Sequence, residues 1–179
     1  MGETRESIVR FWREAGPDRW FKRDDAFDAL FRHRFMALHL EAAARAHDDW
    51  AEAPEGSLAL LLLLDQFPRN CFRGTGHMYA TDPLARMFAE RAIASGQDQA
   101  VEAELRLFLY LPFTHAEDMA MQERAVALIT PLGEEPAGHA RGHRDIIARF
   151  GRFPHRNPML GRETTADEQA FLDGGGFRG

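Results

Sequence analysis

Residues 54–68 read PEGSLALLLLLDQFP. From Leu58 to Leu64 every side chain is apolar. The run therefore shows neither the period of two of a half-buried strand nor the one-sided stripe of a surface helix. A buried strand or a fully buried helix would explain it equally well. Its surroundings decide for helix. Upstream, Asp24 and Asp25 can cap a segment whose Phe27, Leu30, Phe31, Phe35 and Leu38 form a helical stripe, continuing to about His47. Before that, Ile8, Phe11, Trp12 and Ala15 predict a first helix over about residues 4–15, stopped by Gly16-Pro17. Pro68 is expected to end the leucine-rich helix, because a proline pushes the preceding residue out of helical geometry. Residues 69–81 then read as a loop. Asp82-Pro83 starts a helix carrying Leu84, Met87, Phe88 and Ile93 as far as Gly96.

The remaining sequence continues in the same manner. Val101, Leu105, Phe108 and Leu109 predict a helix ending at Pro112. Thr114 and Glu117 have capping-box spacing for the next one, to about Ile129, where Pro131 and Gly133 break the pattern. A helix opening near Pro136 carries Ile146, Ile147 and Phe150 before Gly151. Thr165 with Glu168 makes a second capping box for a short last helix ending at the Gly174 run. No segment alternates as a strand does, and no fixed-period repeat stands out. The expectation is an all-α chain of about eight helices, forming one domain over residues 1–179.

Composition narrows the function classes. With 45% hydrophobic and 28% charged residues the chain has enough apolar surface to fold alone. Its longest apolar run is seven residues, far short of the roughly 20 that span a bilayer, so no membrane association is expected. The start, MGETRESIVRFW, lacks the basic and apolar regions of an export signal. A single cysteine, Cys71, fits the reducing cytoplasm. The net charge of −6 argues against nucleic acid as a partner. Locally the balance reverses: residues 139–162 hold six arginines against Asp145 alone, leaving +5 there and −11 elsewhere.

Three polar segments are candidates for chemistry. In the first, Asp65 follows the leucines near a predicted helix end, where the dipole disfavours an anion, so it needs a partner. A structural ion pair with Arg69 or Arg73 satisfies that need, and a pocket wall shared with Asn70 does so as well. In the second, His115, Glu117 and Asp118 stand at a predicted helix N-terminus. There Glu117 can serve as a cap and His115 as a general acid or base. In the third, His143, Arg144, Arg149, Arg152, His155, Arg156 and Asn157 surround a Gly-Arg-Phe-Pro turn. Guanidinium groups on such a loop can receive carboxylate or phosphate through paired N–H donors, or can form a lattice of structural ion pairs. His139 and His143 share a helix face at i, i+4, but two ligands without a third do not make a metal site, and no metal or cofactor is expected. No nucleophile elbow is present, and Ser7, Ser57 and Ser95 lie outside these segments.

The segments LLLLDQFPRNCFRGT (61–75), FLYLPFTHAEDMAMQE (108–123) and HRDIIARFGRFPHRNPMLGRETT (143–165) resemble, in order and spacing, the bacterial family catalogued as domain of unknown function 924. The resemblance covers nearly the whole chain. It implies helices stacked as antiparallel pairs, similar to tetratricopeptide-repeat (TPR-like) proteins, and it implies no reaction, substrate or cofactor. Two positions depart from the family's usual pattern: this chain has His115-Ala116-Glu117 where His-Ser-Glu is usual, and Cys71 where an aliphatic residue is usual. Both departures argue against a nucleophile at those places.

Together these readings predict a pocket for a small anionic molecule. Arg152, Arg156 and Asn157 would hold the anion, His115 or His155 would move a proton, and Asp65 or Glu117 would orient a histidine, giving hydrolase or transferase chemistry. Asp65, Arg69, Asn70, Glu117, His143, Arg144 and Arg149 complete the expected ligand-binding set. The rival reading is an interaction scaffold whose concave face takes a peptide or another acidic partner. The phenylalanine-rich composition permits a homodimer without requiring one.

Overall fold

The computed structural model describes residues 2–179, and among them every regular element is helical. Eight helices of eight or more residues carry the fold. Helix α1 (Arg5–Ala15) opens on a capping box in which Thr4 and Ser7 bond each other's backbone N–H. Helix α2 (Asp25–Ala43) is capped by Asp24, whose carboxylate accepts from the N–H groups of Ala26 and Phe27. It ends four residues before the predicted His47, because Arg45 adopts φ +65° and bonds Asp48, a conformation that cannot continue a right-handed helix.

Helix α3 is the leucine-rich segment. It runs as α-helix over Pro54–Leu61, as a π turn over Leu62–Gln66 and again as α-helix over Phe67–Cys71. Leu58 through Leu64 are all 0–1% exposed, so the helix is buried on every side. Gly56 at its start is required: a Cβ there would lie 2.0 Å from the Trp50 carbonyl oxygen. Pro68 does not end this helix, contrary to the sequence expectation. The Phe67 N–H reaches five residues back to Leu62, and Pro68 has no N–H. The helical donors that the Leu63 and Leu64 carbonyls would ordinarily have are thus removed. Their replacements come from other helices: His39 Nδ1 donates to Leu63 at 2.9 Å and the Thr81 hydroxyl to Leu64 at 2.5 Å. With both carbonyls satisfied, the break costs little and the helix continues.

Helix α4 (Asp82–Ala94) takes Thr81, not Asp82, as its capping position, while the Asp82 carboxylate turns to Arg69. Helix α5 (Ala103–Thr114) carries Pro112 inside it and runs two residues past the predicted end. Helix α6 (Met119–Ile129) is capped by Asp118, which accepts from the Met121 N–H. Helix α7 (Glu134–Phe150) closes on Gly151 at φ +71°, whose N–H bonds the Ile147 carbonyl. Helix α8 (Ala166–Asp173) has the predicted Thr165–Glu168 capping box.

The chain divides into two compact units, the first comprising residues up to Arg73 with His77–Pro112, the second Gly74–Gly76 with Phe113–Gly179. In the first, Phe11 stacks on Phe27 and Phe31, and Trp12, Phe31, Phe35, Phe67, Phe88 and Phe108 are fully buried. In the second, Ile146, Ile147 and Phe153 form a core against which Phe150 and Phe171 pack. Each fully buried ring contributes about 2–3 kcal/mol of hydrophobic stabilisation. Among the described residues no helix is long and apolar enough to cross a membrane.

Candidate functional site

The first unit holds Asp65, Arg69 and Asn70, and uses all three in a network between helices. Asp65 lies in the π turn and is fully buried. Its carboxylate meets Arg69 Nη1 at 3.1 Å and accepts from Gln66 at 2.7 Å. The same guanidinium forms two parallel bonds, 2.9 and 3.0 Å, to Asp82 at the start of α4. Burial by itself would make Arg69 easier to deprotonate, yet the two carboxylates outweigh it and hold the guanidinium charge more firmly than in water. Asn70 donates to Asp28 on α2 at 2.7 Å, and Arg73 Nε donates to the other oxygen of Asp28 at 2.9 Å. Burial, then the Asp28 charge, push the Cys71 thiol up to about 12, so it stays protonated and unreactive at neutral pH.

Two residues of this unit escaped sequence reasoning. His39 and His77 bring their Nε2 atoms to 3.0 Å. Because His39 donates through Nδ1 to the Leu63 carbonyl, its Nε2 is the acceptor and His77 Nε2–H the donor. Burial, opposed by the backbone bond, keeps His39 below the usual histidine range. The signal was faint but present: His39 follows Leu38 on the buried stripe of α2, where a histidine must find partners.

The second unit holds the other candidates. Its loop between α7 and α8 is fastened by two carboxylates. Glu117 accepts from the Phe153 N–H at 2.9 Å and pairs with Arg162 at 2.8 Å, so it does not cap α6 as its spacing predicted. Glu168, 2% exposed, receives Arg152 at 2.6 and 2.9 Å, Asn157 Nδ2 at 3.2 Å and the Thr165 N–H at 2.8 Å. The Arg152 guanidinium pulls the Glu168 carboxyl down to about 2. Arg144 pairs with neighbouring Asp145, and Arg149 lies exposed over the Phe150 ring at 4.6 Å. The Asn157 amide oxygen is fully buried and has no donor among the described residues.

Arg156, His143, His115 and His155 form the remaining group. Arg156 is only 6% exposed and lays its guanidinium 4.5 Å above the Phe153 ring. His143 donates Nδ1–H to the His139 carbonyl at 2.9 Å, which leaves Nε2 as its second functional atom. Its ring stands edge-on to Phe153 at 5.5 Å and to Phe177 at 4.6 Å. His155 contacts the same two rings at 5.6 and 5.1 Å. Burial first, then the nearby charges of His115 and Arg156, lower His143 to about 4, so it is neutral at pH 7. Of the two readings of this arginine-rich segment, a lattice of ion pairs describes Arg152 with Glu168 and Arg162 with Glu117, while Arg156 lies beside His143 over the Phe153 ring. Among the described residues no three histidine, cysteine or acidic side chains are placed to hold a metal ion.

Comparison with known proteins adds lineage without chemistry. The family model described as bacterial protein of unknown function (DUF924) matches residues 8–176. A solved structure of the protein of unknown function ATU0120 from Agrobacterium tumefaciens is similar at 60% identity. It superposes with a TM-score of 0.93, covering 95% of this chain and 97% of that one. No curated protein matches.

Proposed function

Since this chain belongs to the DUF924 family of bacterial proteins, whose function is unknown, its own geometry is what can indicate a role, and we propose that its second unit binds a small oxyanion at Arg156, His143 and His115. The observation that carries this reading is that the Phe153 ring gathers the Arg156 guanidinium at 4.5 Å and the imidazoles of His143 and His155 at 5.5 and 5.6 Å around it. An oxyanion entering there would accept from the Arg156 guanidinium and favour protonation of His143 Nε2. His155, beside the same aromatic walls, would be the proton donor or acceptor if the bound group is transferred or hydrolysed. The carboxylates of Glu117 and Glu168 hold the loop, and they account for why Arg152 and Arg162 stand outside the anion's first contacts.

Calorimetric titration with sulfate and with inorganic phosphate at pH 6 tests the reading. Arg156→Lys and His143→Gln are each expected to weaken binding by at least tenfold, about 1.4 kcal/mol. Unchanged affinity in both variants, with the helical circular-dichroism signal intact, would overturn it.

A further inference from the structure

The segment after α8 returns to the histidines of the candidate site. Gly174–Gly176 turn the chain back tightly: the Gly176 N–H bonds the Phe171 carbonyl at 2.9 Å, and a Cβ on Gly176 would lie 2.5 Å from the Phe171 ring. Only glycine lets the backbone wrap a phenylalanine so closely. Beyond the turn, Phe177 stands edge-on to His143 at 4.6 Å and to His155 at 5.1 Å, touching both imidazoles at once. The Gly179 backbone follows against the His155 ring, where an added Cβ would meet Cδ2 at 3.1 Å.

Phe177 is placed on these histidines without being built into the core. It is 41% exposed, whereas Phe113 and Phe153 of the same unit are 0% exposed. Its segment is tied to α8 by the backbone bonds of the glycine turn and by Arg178 to the Leu172 carbonyl, and it meets the histidines by packing of Phe177 and Gly179 on their rings. A ring held in this way can leave without disturbing a cap or an ion pair, and three successive glycines supply the backbone freedom for it to do so.

We propose that Phe177 is a displaceable cover over His143 and His155, closed in this structure and swung away about Gly174–Gly176 to admit solvent or a ligand. Its biological meaning rests on the anion-binding reading above, whereas its existence can be tested separately. Histidine carbethoxylation by diethylpyrocarbonate, followed residue by residue through peptide mass spectrometry, reads the accessibility of each imidazole. In Phe177→Ala, His143 and His155 are expected to react several-fold faster than in the parent protein. The exposed His33 on α2 should keep its rate, and Phe177→Trp should restore slow reaction. Equal rates in Phe177→Ala and the parent would overturn the cover, whatever sulfate does. Faster reaction in a protein that binds no sulfate would uphold the cover and sink the anion reading. Faster reaction with tighter sulfate binding would support both, since the ring and the ion would then compete for one place.

Discussion

Arg152 and Glu168 meet through two parallel hydrogen bonds of 2.6 and 2.9 Å, joining the turn after α7 to the first turn of α8. Glu168 carries more than this pair, because the same carboxylate satisfies Asn157 and the capping N–H of Thr165. Replacing Glu168 with Ala should therefore remove the acceptor of the Thr165 N–H and leave buried Asn157 Nδ2 with only the Thr164 hydroxyl, lowering stability by about 2 kcal/mol or more. Arg152→Ala, which removes the better solvated partner and leaves the cap intact, should cost less. Urea unfolding of the two variants checks the order, and equal losses would mean that the carboxylate acts through Arg152 alone.

The continuation of α3 past Pro68 depends on donors from outside the helix. Thr81→Val preserves shape and removes the hydroxyl that bonds the Leu64 carbonyl. The expected loss is about 1–2 kcal/mol, the usual cost of a buried acceptor left without a donor. Hydrogen exchange at Phe67 and Arg69 should accelerate in the same variant, because of the two side chains that bridge the break only His39 then remains.

Cys71 should be chemically silent in the folded protein. Its thiol is buried, donates weakly to the Asp28 carbonyl and is pushed up to about 12. Iodoacetamide at pH 8 should leave it unmodified until denaturant is added. Rapid alkylation of the native protein would show that α2 and α3 separate readily around it.

What could be read from sequence, and what could not, is clearest at the two capping boxes. Thr165 with Glu168 and Thr114 with Glu117 have identical spacing, and only the first forms. Glu117 is drawn away by the Phe153 N–H and Arg162, 36 and 45 residues along the chain, and Asp118 caps α6 in its place. Local spacing states what a side chain can do, and distant partners select among the options. Asp65 shows the same division. Its need for a cation was legible from its place after five leucines, and Arg69 was among the partners named. That Arg69 also holds Asp82 required the fold. Most of the long helices were legible from an apolar stripe, α8 from its capping box, and α3, apolar on every side, only from its surroundings. The persistence of α3 through Pro68 was not, since it depends on Thr81 and His39 reaching two carbonyls from other helices. In the arginine-rich loop, residue type alone could not separate Arg152, committed to Glu168, from Arg156 beside the histidines.

Acid should destabilise this protein in two separate ranges. His143 is lowered from an ordinary 6.5 to about 4, so the unfolded chain takes up a proton there that the folded one resists. The contribution is fully present above pH 6.5 and is lost as the pH falls towards 4. At about 1.4 kcal/mol per pH unit, and allowing for solvent screening of a half-buried ring, the loss is about 1–2 kcal/mol. His39, also lowered by burial, adds a loss of the same sign. Glu168 works in a lower range: its carboxylate, brought from 4.5 to about 2, contributes above pH 4.5 and fails as the pH falls to 2. Unfolding free energies measured from pH 8 to 4 should therefore decline first on the histidines, and His143→Gln should flatten part of that decline. Sulfate should oppose it, because an anion beside Arg156 favours the protonated His143 that acid would otherwise force upon an unwilling site. A His143 proton resonance that titrates near 6.5 without sulfate would contradict the buried, cation-flanked ring from which this pH dependence is drawn.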